Sequence, residues 1–253
     1  EKIPVQIYET ADEAVKAVAR EIVDLVQTKA ASSEKCVLGL ATGVSPIKLY
    51  QELVRMHREE GVSFRNVVTF NLDEYLPMPK ESEQSYHYFM HHHLFDHIDI
   101  DPKNIHIPDG TLEGDEIDKF CRDYEKAIKA AGGIDLQILG IGRTGHIGFN
   151  EPGSFITSQT RKVFLNDLTI KDAIKDFGSR NLVPTKAITM GVGTIMQARR
   201  VILMAWGEKK APIIKATVEG RVSDSVPATF LQMHSNVQFI IDESAASELT
   251  RAD

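Results

Sequence analysis

Short apolar runs rich in β-branched residues recur along the chain, and stretches with helical spacing separate them. The runs are CVLGLA (36–41), NVVTFN (66–71), DLQILGIG (135–142), RRVILMAW (199–206) and VQFII (237–241). Runs of this length that alternate with helices are typical of parallel strands buried on both faces. The pattern therefore predicts an α/β fold in which an open, mostly parallel sheet carries helices on both faces.

Two of the intervening stretches show a clear helix start. Thr10 and Glu13 form a capping-box pattern before one amphipathic stretch, and Pro46 opens another, as is common for the first helical turn. The apolar positions that we expect these two helices to bury are Val15, Val18, Ile22, Leu25, Ile47, Tyr50, Leu53 and Val54.

The organisation of the chain points to one domain. No internal repeat, low-complexity tract or linker rich in Pro, Gly or Ser interrupts it, so we predict a single domain over residues 1–253. The chain begins at Glu1 without a methionine, and the sequence leaves open whether this domain belongs to a longer protein.

Charge and cysteine content narrow the function classes. The 36 acidic and 29 basic residues give a formal charge of −7, which argues against a nucleic-acid or membrane-surface binder but allows a local basic pocket. No apolar run reaches the ~18 residues of a membrane span, and no secretory leader is recognisable. Cys36 and Cys121 lack CxxC spacing, so we expect free thiols and a cytoplasmic protein.

The first candidate motif is ATGVSP, which follows the run CVLGL. Ligands of open α/β sheets bind beyond the carboxyl ends of the strands, so motifs in such places are candidates for a site. Thr42, Gly43, Val44 and Ser45 would lie before the helix opened by Pro46, where free backbone N–H groups and the helix dipole favour a phosphate. The loop lacks the GxxxxGK[ST] pattern of nucleotide sites, and a plain turn with a serine cap remains the alternative.

The second candidate motif is FNLDEY (70–75), which follows the run NVVTF. Asp73 and Glu74 are adjacent carboxylates that could hold a metal or transfer protons. Neighbouring residues of a strand point to opposite sides, so we expect only one of them to face a site. A solvated acidic turn is the alternative.

The third candidate motif is GIGRTGHIGFNEP (140–152), at the end of the run DLQIL. Its glycines permit close approach of the backbone to a ligand and place His146 beyond the sheet, beside Thr144. Glu151 could orient the imidazole or tune its basicity. A lone histidine is more often structural, but the strand end, the glycines and the carboxylate together favour a functional role.

Two further features concern metals and anions. His91, His92 and His93 are consecutive, and consecutive helical residues point about 100° apart, so we expect no metal site there. Lys209 and Lys210 follow the run RRVILMAW and could place an ammonium group at the carboxyl edge of the sheet. Positive charge at a helix start opposes the helix dipole, which indicates an anionic partner for at least one lysine.

With these segments in view, the chain closely resembles the glucosamine-6-phosphate deaminase (isomerase) family. The resemblance runs over nearly the whole length, and GHIGFNEP together with FNLDEY is specific to that family. The segments that carry it, in order, are LGLATGVSP, VSFRNVVTFNLDEY, SYHYFMHHHLFDHIDI, GHIGFNEP, TMGVGTI, GEKKA, VEG and FLQMH.

The resemblance implies a Rossmann-like domain that converts glucosamine 6-phosphate and water to fructose 6-phosphate and ammonia, without metal or organic cofactor. It implies that Asp73 moves a proton between C2 and C1, that His146 opens the pyranose ring and that Glu151 supports His146. Residues 42–45 and Lys210 would bind the phosphate. The expected partner is this amino sugar phosphate, in N-acetylglucosamine catabolism, and a homo-oligomer is compatible with the sequence.

The chain departs from the family pattern at two places. Thr144 stands where the family usually has Asp, in a DGH triplet, and Lys175 lies near the place of a phosphate-binding Arg. Lysine cannot make the bidentate contact of arginine. Two alternatives therefore stay open beside the deaminase, namely a noncatalytic sugar-phosphate sensor and a hydrolase similar to 6-phosphogluconolactonases.

Overall fold

The computed structural model describes residues 2–250, so the ends of the predicted domain, residues 1 and 251–253, lie outside the described residues. The strands are β1 Val5–Tyr8, β2 Cys36–Leu40, β3 Val67–Asn71, β4 Asp73–Leu76, β5 Ile105–His106, β6 Leu136–Leu139, β7 Arg161–Phe164, β8 Lys186–Thr189, β9 Arg200–Ala205 and β10 Val237–Asp242. The α-helices are α1 Ala11–Ala31, α2 Ile47–Glu60, α3 Tyr86–His93, α4 Asp115–Ala130, α5 Asp167–Phe177, α6 Val192–Met196 and α7 Ala211–Glu219. Short 3₁₀ turns lie between several of them.

The main sheet has seven strands in the order β1-β10-β9-β6-β2-β3-β5, and every neighbouring pair is parallel. One apolar cluster packs α1, α2 and α3 on one face, and a second cluster packs α4, α6 and α7 on the other. The predicted α/β fold, with a mostly parallel sheet between helices, is confirmed. Each of the five predicted runs contains a strand, although the run 135–142 holds only the short strand β6.

The order of the strands creates a crevice between β2 and β6. From β2 the chain continues to β3 and β5 on one side, whereas β6, β9 and β10 extend the sheet on the other side. The loops after β2 and β6 therefore leave in opposite directions, which is the topological switch point where open α/β sheets bind ligands. The motifs ATGVSP and GIGRTGHIGFNEP both start at this crevice.

A second, three-stranded antiparallel sheet with the order β4-β8-β7 lies beside the main one, and the five apolar runs do not predict it. Its strands are four residues long, and β7 alternates between half-buried and exposed positions. Asp73 of β4 pairs with Thr189 of β8, so this sheet carries one of the predicted site residues.

The helix starts agree with the sequence. The Thr10 hydroxyl accepts a hydrogen bond from the backbone N–H of Glu13 at 3.2 Å, and α2 begins directly after Pro46. Most of the listed apolar positions are buried, although Leu25, Ile47 and Val54 are only half-buried. Within residues 2–250, no helix is both long and apolar enough to cross a membrane.

Candidate active site

Four loops meet at the carboxyl edge of the main sheet, because the strands β9, β6, β2 and β3 are consecutive neighbours. Hydrogen bonds join the loops across the edge. Trp206 Nε1, after β9, donates to the carbonyl of Ser45 at 3.1 Å, and Lys210 Nζ donates to the carbonyl of Ile141 at 2.6 Å. Motifs that lie more than 100 residues apart in sequence therefore line one cleft.

The ATGVSP loop leaves the start of α2 open. Gly43 has a φ of 97°, a conformation that favours glycine, and Val44 is 74% exposed. No side chain caps the start of the 14-residue helix α2, so the alternative of a serine cap is wrong. Free N–H groups at a helix start attract an anion. Thr42 lies beside the Tyr86 phenol, which connects this loop to the Asp73 side of the cleft.

Asp73 is a buried carboxylate at the start of β4, with 6% of its surface exposed. No side-chain hydrogen bond joins its carboxylate to another residue of the described chain. Burial, followed by the charge of Glu74, raises the pKa of Asp73 well above its ordinary value of 3.8. A buried carboxylate without donors holds a proton readily, which is the property that a group shuttling protons near neutral pH requires.

Gly148 brings the GHIGFNEP loop against Asp73. A Cβ at this position would lie 3.6 Å from Asp73 Oδ2 and only 2.9 Å from Thr189 Oγ1, and the φ of +55° also favours glycine. The Thr189 hydroxyl accepts the backbone N–H of Phe149 at 3.0 Å and so holds the loop in place. The loop that carries His146 therefore packs directly on the buried carboxylate.

Glu74 has a different environment from its neighbour. Its carboxylate accepts backbone N–H groups from Tyr75 at 2.9 Å, Tyr86 at 2.9 Å and His87 at 3.1 Å, and the last two lie at the start of α3. Burial raises the pKa of Glu74 to about 7, while these three hydrogen bonds lower it. Both carboxylates are buried, so the alternative of a solvated acidic turn is wrong.

His146 is held by backbone. Its Nδ1 lies 2.7 Å from the carbonyl of Gly148, a contact in which Nδ1–H donates. The other ring nitrogen, Nε2, is then unprotonated in the neutral imidazole and can accept a proton. The ring lies over Gly142, where a Cβ would approach Nε2 to 1.8 Å, and only glycine leaves room for it.

Glu151 lies near His146 but bonds elsewhere. Its Oε1 is 3.9 Å from His146 Nδ1, which is too far for a hydrogen bond, although a charge contact remains. Its Oε2 accepts the backbone N–H of Asn166 at 2.6 Å and the hydroxyl of Thr169 at 2.8 Å. Glu151 therefore fastens the start of α5 to the GHIGFNEP loop.

Two polar atoms near His146 are buried without a hydrogen-bond partner in the described chain, namely Thr144 Oγ1 and Glu151 Oε1. A buried polar atom without a partner costs about 1–3 kcal/mol, so such atoms mark places where a ligand or water completes the bonding. The Thr144 hydroxyl therefore makes no hydrogen bond to His146 in the described chain.

Lys210 and Lys175 interact electrostatically. Burial lowers the pKa of Lys210, the charge of Asp172 on α5 raises it, and the charge of Lys175 lowers it. The resemblance places Lys175 near a phosphate-binding position, and in the structure Lys175 lies within electrostatic range of Lys210. Lys209 is exposed.

An aromatic cluster that the sequence does not predict lies beside Asp73. Tyr75 contacts Tyr86, Phe149 and Phe177, with ring centroids 5.0, 5.3 and 5.2 Å apart respectively. Burial raises the pKa of Tyr86 well above its ordinary value, and the neighbouring Tyr75 and Asp73 act in the same direction. These aromatic residues come from four separate segments, so no local pattern indicates that they meet.

The three consecutive histidines of α3 contact different residues, although the rings of His92 and His93 also pack edge-on with centroids 4.9 Å apart. His91 Nδ1 lies 2.8 Å from Asp96, His92 stacks on Tyr88, and His93 packs against Phe89. Across residues 2–250, no group of three or more His, Cys, Asp or Glu side chains is arranged to hold a metal ion.

The fold and the cleft define a class of protein: an open α/β protein with a polar, lysine-lined site at the switch point of its sheet. A family model described as "Glucosamine-6-phosphate isomerases/6-phosphogluconolactonase" matches residues 9–240. The chain belongs to this family.

Relatives of known name agree with this membership. The chain is 46% identical over 235 residues to the glucosamine-6-phosphate deaminase of Thermoanaerobacter pseudethanolicus, covering 93% of this chain and 92% of that protein. It is 48% identical over 251 residues to a glucosamine-6-phosphate deaminase-like protein of Bacteroides thetaiotaomicron, covering 99% of this chain. The match spans only 38% of that longer relative.

Solved structures show the same fold. A monomeric glucosamine-6-phosphate deaminase superposes with a TM-score of 0.92 at 40% identity, covering 98% of this chain and 100% of that one. The 6-phosphogluconolactonase of Trypanosoma brucei superposes with a TM-score of 0.78 at 21% identity, covering 98% and 99%. The second likeness is evidence for the fold alone.

Proposed function

We propose that this chain converts glucosamine 6-phosphate and water to fructose 6-phosphate and ammonia. The observation that carries the proposal is the buried carboxylate of Asp73, packed through Gly148 against the loop of His146. Relatives named glucosamine-6-phosphate deaminase support the choice of substrate. For any longer protein that contains this chain, we propose the same activity.

The reaction needs one group that moves a proton between adjacent carbons and another that serves the ring oxygen. Opening of the ring gives a 2-amino aldehyde. Asp73 takes the proton from C2 and returns it to C1, while one proton of the amino group passes to the C1 oxygen. This leaves an imine at C2 and a hydroxyl at C1, and water then adds to the imine and releases ammonia. The raised pKa of Asp73 suits this task, because the carboxyl group must both take and return the proton.

His146 is proposed to transfer the proton of the ring hydroxyl. Its Nδ1–H is engaged with the Gly148 carbonyl, so Nε2 is the nitrogen that takes and returns a proton. Glu151 supports this arrangement by a charge contact and by holding α5, while Thr144 offers a hydrogen bond without charge. Lys210, Lys175 and residues 42–45 bind the phosphate.

The proposed chemistry uses acid–base groups alone, so we propose that it requires no metal or organic cofactor. We further propose a cytoplasmic location and a role in amino sugar metabolism, specifically N-acetylglucosamine catabolism, with the amino sugar phosphate as partner. The buried thiols of Cys36 and Cys121 suit a reducing compartment. The homo-oligomer stays a prediction.

The direct test is to incubate the chain with glucosamine 6-phosphate and measure ammonia and fructose 6-phosphate together. We expect equal amounts of both products, and no ammonia from unphosphorylated glucosamine, which serves as the control. Binding of glucosamine 6-phosphate without turnover would contradict the enzyme and support the sensor. Hydrolysis of 6-phosphogluconolactone in place of deamination would support the hydrolase.

The substitution Thr144→Asp tests the departure from the family motif. An added carboxylate beside His146 stabilises the protonated imidazole, so we expect the acidic limb of the kcat/KM profile to move up by about 1 pH unit. The variant Thr144→Asn is the matched control, because it adds a polar group without charge and should leave the limb in place. A Thr144→Asp profile that superimposes on the parent profile would show that position 144 does not act on His146.

A further inference from the structure

Arg143 and Asp172 form an ion pair at the mouth of the cleft that the proposed mechanism does not use. Arg143 Nε lies 2.9 Å from Asp172 Oδ2, and the two side chains are 49% and 52% exposed. The pair joins the loop after β6 to α5, on which Asp172 lies. An exposed pair of this kind contributes little to stability, so stability does not account for its position.

This pair lies next to the lysines of the proposed phosphate site. Lys210 Nζ donates to the carbonyl of Ile141, two residues before Arg143. Asp172 attracts Lys210 and Lys175 repels it, so both charges lie within electrostatic range of Lys210. Asp172 therefore pairs directly with Arg143 and also interacts electrostatically with Lys210.

We propose that Arg143 binds the phosphate of the substrate, and that Asp172 is paired with the Arg143 guanidinium until this phosphate displaces the Asp172 carboxylate. This assignment rests on the proposed function, because that function gives the substrate its phosphate group. A phosphate dianion has about twice the charge of a carboxylate and accepts paired hydrogen bonds from a guanidinium. Arg143 thus supplies the planar donor group that Lys175 lacks.

The two halves of the ion pair are then expected to act in opposite directions. Arg143→Gln removes a ligand of the phosphate, whereas Asp172→Asn removes the group that competes with it. We expect Arg143→Gln to weaken binding of inorganic phosphate about 10-fold or more, and Asp172→Asn to tighten it about 3-fold or more. The KM for glucosamine 6-phosphate should follow the same signs, with little change in kcat.

The experiment is titration calorimetry of the whole chain with inorganic phosphate. A matched control is the pair Arg180 and Asp167, which also joins α5 to a neighbouring segment. Arg180 Nη2 and Asp167 Oδ1 are 2.7 Å apart, and the side chains are at least as exposed as those of Arg143 and Asp172. Arg180→Gln and Asp167→Asn should leave phosphate binding unchanged. Arg143→Lys keeps the charge and loses the paired donors, so its affinity should lie between those of the parent and Arg143→Gln.

Phosphate binding is measured without turnover, so the outcome separates this proposal from the proposed function. Opposite shifts in a chain that releases no ammonia would support the phosphate role and contradict the deaminase. Ammonia release together with shifts in phosphate affinity that have the same sign in Arg143→Gln and Asp172→Asn, or with no shift, would contradict the phosphate role. Either substitution breaks a purely structural ion pair, so both would then have the same effect. Failure of the unaltered chain to bind phosphate would also overturn it.

Discussion

Replacing Asp73 by Asn should lower kcat about 10²- to 10⁴-fold, because the amide cannot take the proton from C2 and return it to C1. The KM should change little, since the proposed phosphate ligands lie on other loops. The measurement is steady-state release of ammonia from glucosamine 6-phosphate by the variant and the parent. Turnover within a few-fold of the parent would show that another group moves the proton.

The same variant should not be less stable than the parent at neutral pH. The pKa of Asp73 is raised above its ordinary value of 3.8, so the folded chain binds more protons than the unfolded chain as pH rises above that value. Stability therefore falls with rising pH through this interval, and Asn removes that loss. Urea unfolding of Asp73→Asn and of the parent at pH 7 measures this difference in stability. A marked loss of stability in Asp73→Asn would indicate a structural role for the carboxylate.

Replacing Glu74 by Ala should lower the free energy of unfolding by about 2–4 kcal/mol, because it leaves buried N–H groups of Tyr75, Tyr86 and His87 without an acceptor. The start of α3 would also lose the negative charge that its dipole favours. In a chain of this length the melting temperature should fall by roughly 5–15 °C. Thermal unfolding followed by circular dichroism measures this fall in melting temperature.

The variant Glu74→Gln is the control, since it keeps one acceptor oxygen and should lose less stability. It also tests the pKa of Glu74, which is about 7 in the folded chain against an ordinary value of 4.5. The parent should lose stability as pH rises between these values, because the folded chain then holds the extra proton. The Gln variant should lack this dependence. Equal pH dependence in both proteins would argue against the raised pKa.

The sequence by itself determined that the main sheet is mostly parallel, where five of its seven strands lie, and that the motifs follow the carboxyl ends of strands. A continuous apolar run indicates a segment covered on two faces, and an amphipathic pattern indicates a segment covered on one face. Both patterns are local properties of the sequence. The start of α1 was equally readable, because the Thr10 cap and the Glu13 N–H are three residues apart. The positions of ATGVSP and GHIGFNEP directly after strands thus predict that both lie at the carboxyl edge of the sheet.

The tertiary structure alone decided what several motif residues contact. Glu74 bonds residues 12 and 13 positions away, Glu151 bonds Asn166 and Thr169 rather than His146, and Asp172 reaches back to Arg143. The small antiparallel sheet likewise has no pattern in the sequence that predicts it, because its four-residue strands are defined by their pairing with one another. Contacts between distant segments depend on how the layers pack, and a burial pattern along one chain carries no information about which neighbour a side chain meets.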